Sequence, residues 1–138
     1  MAPPKPNKAA STPRKQRIQW FVTSVYALLL LAGSVAPGDK LPTIPNWSTL
    51  FSPDKVLHFG AYGVFALLLS VVFSERRTKW AIFSAIAVAA AFGLLMECLQ
   101  AISGTGRSFD AIDMVANLIG ALLGGGTFWL YQQLRNKH

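Results

Sequence analysis

The stretch from Glu97 to Asn117, ECLQAISGTGRSFDAIDMVAN, carries Glu97, Gln100, Arg107, Asp110, Asp113 and Asn117 between two apolar segments. Carboxylates can move protons or hold a metal ion, and a guanidinium fork can grip a phosphate or carboxylate. A second group lies upstream. Asp54, His58 and Tyr62 recur at i, i+4 and i+8, so they share one face of a helix, with Lys55 beside them. An imidazole among carboxylates is both an acid–base set and a metal-ligand set. The surrounding segments are nearly free of charge. Charge in or beside a bilayer is costly and normally has a partner or a task.

The composition explains why a bilayer enters the argument. Of 138 residues, 52% are hydrophobic and only 14% are charged, and mean hydropathy is +0.38. A soluble domain carries about 25% charged residues. The length fits one domain. Net charge is +7, which raises the question of nucleic acid. Lys5, Lys8, Arg14, Lys15 and Arg17 all precede the first apolar run, without interleaved aromatics and without a nucleic-acid motif. They read as a topology signal with attraction to anionic lipid, worth about 1 kcal/mol per basic residue at the surface. No nucleic-acid partner is expected. Cys98 is the single cysteine, so no intrachain disulfide exists and redox compartment is not indicated. It reads as a small packing residue beside Glu97.

Residues 1–17, rich in Pro, Lys, Ser and Asn, read as a disordered basic tail on the cytoplasmic side. Residues 18–138 form the membrane domain. Its apolar segments run over 18–36, 56–73, 80–102 and 112–131. A helix of about 20 residues crosses the hydrocarbon core, and open strands cannot satisfy their backbone there. The fold class is therefore an all-α membrane protein, a bundle of four transmembrane helices. The first segment has a rival reading as a signal peptide cut after Ser34-Val35-Ala36. Its apolar run exceeds the usual 7–15 or so residues of such a peptide, and Pro37 follows the cut.

Basic residues set the orientation. The tail, the turn 74–79 with Arg76, Arg77 and Lys79, and the end with Arg135 and Lys137 share one side. That side is expected to be the cytoplasm, so both termini are cytoplasmic. Trp20, Trp80, Trp129 and Tyr131 fall at the same helix ends, where aromatic belts collect. The loop 37–53 and the loop 103–110 lie outside. Pro37, Pro42, Pro45 and Pro53 stiffen the longer one. Its apolar residues Trp47, Leu50 and Phe51 either dip into the headgroup layer or form a lid over the polar residues.

Ser52, Pro53 and Asp54 make a start signal for the second helix. On the third, Ala89, Gly93, Glu97 and Gln100 form one stripe. On the fourth, Asp110, Asp113, Asn117, Gly120 and Gly124 do the same, with Gly120 and Gly124 as a GxxxG pair suited to close packing. His58, Glu97, Asp113 and Asn117 thus reach the same outer depth on three helices. Other readings stand beside this one. Asp110 and Asp113 resemble a capping box, and Asn117 fits an interhelical hydrogen bond. His58 alone would suit a core, Arg107 can pair with Asp110 or bind an anion, and Lys55 can snorkel to headgroups.

Two motifs resemble those of a known family. Asp54-Lys55-Val56-Leu57-His58-Phe59-Gly60-Ala61-Tyr62 looks like the first signature of the VanZ-like membrane proteins. Glu97, Gln100, Arg107, Asp110, Asp113, Asn117 and Gly120 resemble the second. The resemblance covers the second to fourth helices. It implies a small, multi-pass protein of the bacterial plasma membrane with a role in the cell envelope. The family takes its name from a member that contributes to low-level resistance to the glycopeptide teicoplanin. The resemblance supplies no reaction.

The expected function is a non-enzymatic envelope protein. Its outer polar site binds or shields an outer-leaflet lipid or a lipid-linked cell-wall precursor. The alternative is an enzyme on a lipid-linked substrate, with His58, Glu97 and Asp113 as acid–base groups or metal ligands. No nucleophile motif or metal motif is present to choose between them, and no metal or cofactor is assigned. A transporter comes third, because the inner halves of the helices carry no ionisable relay.

Overall fold

The structure, a computed structural model, describes residues 12–36, 53–74, 78–104 and 109–137, with the backbone alone at 53, 54, 78 and 79. Four helices follow in order: α1 (Pro13–Val35), α2 (Pro53–Phe73), α3 (Thr78–Ile102) and α4 (Ala111–Arg135). They contain 23, 21, 25 and 25 residues. At 1.5 Å per residue each is about 30 Å long or more, enough to cross a bilayer. All four are apolar enough to do so.

The helices overrun the apolar runs, most clearly at the start of the chain. α1 begins at Pro13, not Ile18. Residues 13–17 therefore extend the helix instead of belonging to the tail. Proline at the first helical position lacks only an N–H that would have no helical partner. Arg14, Lys15 and Arg17 can continue the helix past hydrocarbon because long cationic side chains reach into headgroups. α4 likewise runs past Tyr131 to Arg135, a basic residue in the last turn that suits the helix dipole.

Cross-helix contacts fix the directions. The Tyr26 hydroxyl donates to Ala61 O at 3.0 Å, and Trp20 lies 6.1 Å from Phe73 between ring centroids. α1 is therefore antiparallel to α2. Gly120 packs on Phe59 and Gly63, and Gly124 on Gly63, so α4 runs parallel to α2. α3 opposes both, with Gly93 against Tyr62 and Asn117 and Ile86 against Gly125. Among the described residues, α2 touches all three other helices, whereas α1 packs on α2 and α3 and not on α4.

The core is small-residue packing around an aromatic centre. Tyr62, Phe65, Ala66, Leu69, Ala85, Ala89 and Ala121 are buried together. A Cβ on Gly120 would strike Phe59 O, and one on Gly124 would strike Gly63 O. The GxxxG pair is thus the contact face of α4, and Gly63 is its counterpart on α2. Ser70 is fully buried and satisfies its hydroxyl on Ala66 O at 2.7 Å, within its own helix. The outside is apolar instead: Phe21, Leu28, Phe83, Leu95 and Leu123 are exposed, as a lipid-facing surface requires. Cys98 is exposed too. It faces away from the bundle, because its neighbour Glu97 takes the inward position.

Residues 1–11, the loop 37–52 with its lid and Ser52 cap, the turn 75–77 and Arg107 lie outside the described residues.

Candidate functional site

The polar residues meet where α2 and α4 begin and α3 ends. Lys55, in the first turn of α2, points across to α4. Its Nζ lies 2.9 Å from Asp110 Oδ2 and 3.0 Å from Asp113 Oδ1. Its side chain is only 13% exposed. Lys55 therefore does not snorkel to headgroups. Two carboxylates within hydrogen-bond reach hold the ammonium inward more strongly than water at the rim would.

Asp110 serves twice. As N-cap of α4 its Oδ1 accepts the Ile112 N–H at 2.7 Å, while Oδ2 takes the Lys55 contact. The Lys55 hydrogen bond first, and then the Ile112 N–H, hold its carboxyl below the usual carboxylate range. The capping box is only half formed. The Asp110 backbone N–H donates to Glu97 Oε2 at 3.2 Å, across to α3, and not to Asp113. That leaves Asp113 free to face Lys55 and His58.

His58 sits one turn deeper. Its Nδ1 is 3.1 Å from Asn117 Oδ1. The amide oxygen is an acceptor, so Nδ1 carries the hydrogen. Nδ1 is also 3.9 Å from Glu97 Oε1, and Nε2 is 3.8 Å from Asp113 Oδ2. Glu97 is fully buried, Asp113 is 4% exposed and Asn117 is 1% exposed. The Asn117 Nδ2 is buried without a hydrogen-bond partner among the described residues. One nitrogen of His58 and one oxygen each of Glu97 and Asp113 all fall within 4.8 Å of one another, a spacing that a metal ion could close.

The remaining candidates divide. Tyr62 lies in the core and stacks parallel to His58, with ring centroids 6.5 Å apart, as the floor of the site. Gln100 is buried in the last turn of α3, where its backbone carbonyl accepts the Ser103 hydroxyl at 3.0 Å. Asp54 is helical, with its side chain outside the described residues. Sequence reasoning missed two features, the Lys55 bridge and the Asp110 N–H on Glu97. A signal for the first was available, since Lys55 precedes His58 by three residues and shares its helix face. The second is a backbone contact and leaves no trace in side-chain types.

Four membrane-length helices with an apolar exterior and a polar cluster at one end define a multi-pass membrane protein. The chain belongs to the VanZ/LLP1 family, whose model matches residues 8–132. The match extends beyond the two motifs to include α1 and part of the basic segment before it. No curated protein and no solved structure gives a significant match.

Proposed function

We propose that this VanZ/LLP1 protein acts in the bacterial plasma membrane by binding an outer-leaflet lipid or lipid-linked cell-wall precursor through its polar head. Lys55 is the observation that carries the reading. It belongs to the ion-paired cluster and also heads an apolar groove of about 400 Å³ between α2 and α4, walled by Val56, Phe59, Ile112, Val115 and Ile119. A hydrocarbon-lined groove that ends at a polar cluster fits a molecule with a chain and a head. Inside a bilayer the chain leaves one apolar environment for another, so its burial drives little binding. Selectivity then rests on the head. Lys55 is already shared by two carboxylates, so a purely anionic head would have to displace them. A head that also offers amine or hydroxyl donors can bind the carboxylates without doing so.

Native mass spectrometry of the full chain released from lipid nanodiscs tests this. The wild type should retain lipid. Ala116→Trp, which fills the groove, and Asp113→Asn, which weakens the head site, should each reduce retention. Equal retention by both variants and the wild type would refute the reading.

The second reading is an enzyme on the same ligand class. It is favoured by the placing of His58 between Glu97 and Asp113, an arrangement suited to acid–base transfer. Turnover of a labelled lipid-linked precursor by purified protein, lost in His58→Ala, is its test.

A further inference from the structure

We infer that His58, Glu97 and Asp113 bind one divalent transition-metal ion of the Zn²⁺ type. The donors come from three helices, and one atom of each lies within 4.8 Å of the others. The way each donor is held carries the inference. Metal ligands are generally oriented by an outer partner on their second polar atom, and all three residues show this pattern. His58 Nδ1 is engaged by Asn117 Oδ1 at 3.1 Å, which leaves the Nε2 lone pair for a metal. Glu97 Oε2 accepts the Asp110 N–H at 3.2 Å, and Oε1 faces the imidazole. Asp113 Oδ1 takes the Lys55 ammonium at 3.0 Å, and Oδ2 lies 3.8 Å from His58 Nε2.

The separations agree with a shared ion better than with direct pairing. Neither carboxylate reaches His58 at hydrogen-bond length: Asp113 Oδ2 is 3.8 Å from Nε2, the nitrogen left for the ion, and Glu97 Oε1 is 3.9 Å from Nδ1 on the same ring. Ligands about 2.0–2.1 Å from one tetrahedral Zn²⁺ are roughly 3.3 Å apart, so small side-chain rotations close the site. The buried Asn117 amide adds an independent sign. It uses Oδ1 on His58, while its Nδ2 has no hydrogen-bond partner among the described residues. An amide buried at that cost fixes the imidazole rather than filling a core.

One nitrogen and two carboxylate oxygens suit Zn²⁺ or Mn²⁺. They are too hard for Cu(I), and the imidazole disfavours Mg²⁺ and Ca²⁺. Three protein ligands leave a position open, as catalytic zinc sites do. An oxygen of a lipid head could occupy it. The inference therefore deepens the headgroup-site reading, but its test does not depend on lipid.

The full chain in detergent would be stripped with chelator, exposed to Zn²⁺ and desalted, and its metal content measured. The wild type should bind about one equivalent, with Mg²⁺ and Ca²⁺ failing to compete. His58→Ala, Glu97→Gln and Asp113→Asn should each lose it, and Asn117→Ala should weaken affinity about 10–100-fold. Lys55→Met removes the partner that orients Asp113, so it too should weaken affinity about 10–100-fold. A size-exclusion profile matching the wild type separates these losses from misfolding. Ala116→Trp should leave Zn²⁺ uptake intact, which separates this test from that of the groove. Uptake no greater in the wild type than in a variant carrying all three ligand substitutions would overturn the inference, as would wild-type affinity in both Asn117→Ala and Lys55→Met.

Discussion

At the scale of single residues, Lys55 decides how the site is held. It balances Asp110, whose side chain is 40% exposed, and Asp113, whose side chain is only 6% exposed. Lys55→Met leaves the buried Asp113 carboxylate without its ammonium and should lower stability by about 1–3 kcal/mol. Much of that loss should come from Asp113, because solvent screens the exposed Asp110. Lys55→Met combined with Asp113→Asn should therefore recover part of the loss. Thermal unfolding of the full chain in detergent measures both, and a double variant no more stable than Lys55→Met would show that Asp113 is not the stranded partner. The residue types of this site could be read from the chain. His58, Glu97, Asp113 and Asn117 have side-chain chemistry that hydrocarbon does not tolerate alone, and their spacing gave a common depth. The pairing within the site was less accessible. A lysine at a helix end has two outlets, headgroups or a carboxylate on another helix, and only the distance between helices selects one. Cys98 went the other way for a similar reason: adjacent positions on a helix face in different directions, and inward placement of Glu97 turned it out.

At the scale of elements, glycine sets how closely α2 and α4 approach, and that approach brings Lys55 to Asp113. Gly120 and Gly124 leave no room for a Cβ against Phe59 O and Gly63 O. Gly120→Leu should force the helices apart and sharply reduce accumulation, as read by membrane immunoblot. Gly126, whose Cβ position is open, supplies the control: Gly126→Ala should accumulate normally. Normal accumulation of Gly120→Leu would place that face towards lipid. The GxxxG spacing announced this contact from α4 alone, but Gly63 is one of two glycines in α2 and is marked out from Gly60 only by its partner. α1 should matter less to the site. Among the described residues it does not pack on α4, and its one long-range hydrogen bond is Tyr26 to Ala61. Tyr26→Phe should lower stability by only about 0.5–1.5 kcal/mol and leave lipid retention unchanged. The start of α1 was hard to read because proline and clustered charge resemble a disordered tail in composition. Proline at the first turn costs a helix nothing, and composition does not record position.

At the scale of the whole molecule, the helix directions turn the charge pattern into a topology. α2 and α4 run parallel and α1 and α3 oppose them, so the start of α1, the start of α3 and the end of α4 share the end away from the site. Arg14, Lys15 and Arg17 lie at the first of these, Lys79 at the second, and Arg135 and Lys137 at the third. The site end carries Lys55, but that charge is shared by two carboxylates. Basic residues favour the cytoplasmic side, at about 1 kcal/mol each beside an anionic leaflet. Six of them at one end outweigh a neutralised one at the other. The site should therefore open to the outer face, where a lipid head or cell-wall precursor would meet it. Reporters fused after Lys79 and after Lys137 should read cytoplasmic, and one inserted near Thr43 should read external. If the fusion after Lys79 reads external, the bundle is inverted. The site then faces the cytoplasm, and its ligand must be sought among inner-leaflet lipids, with the helix packing and the cluster geometry unchanged.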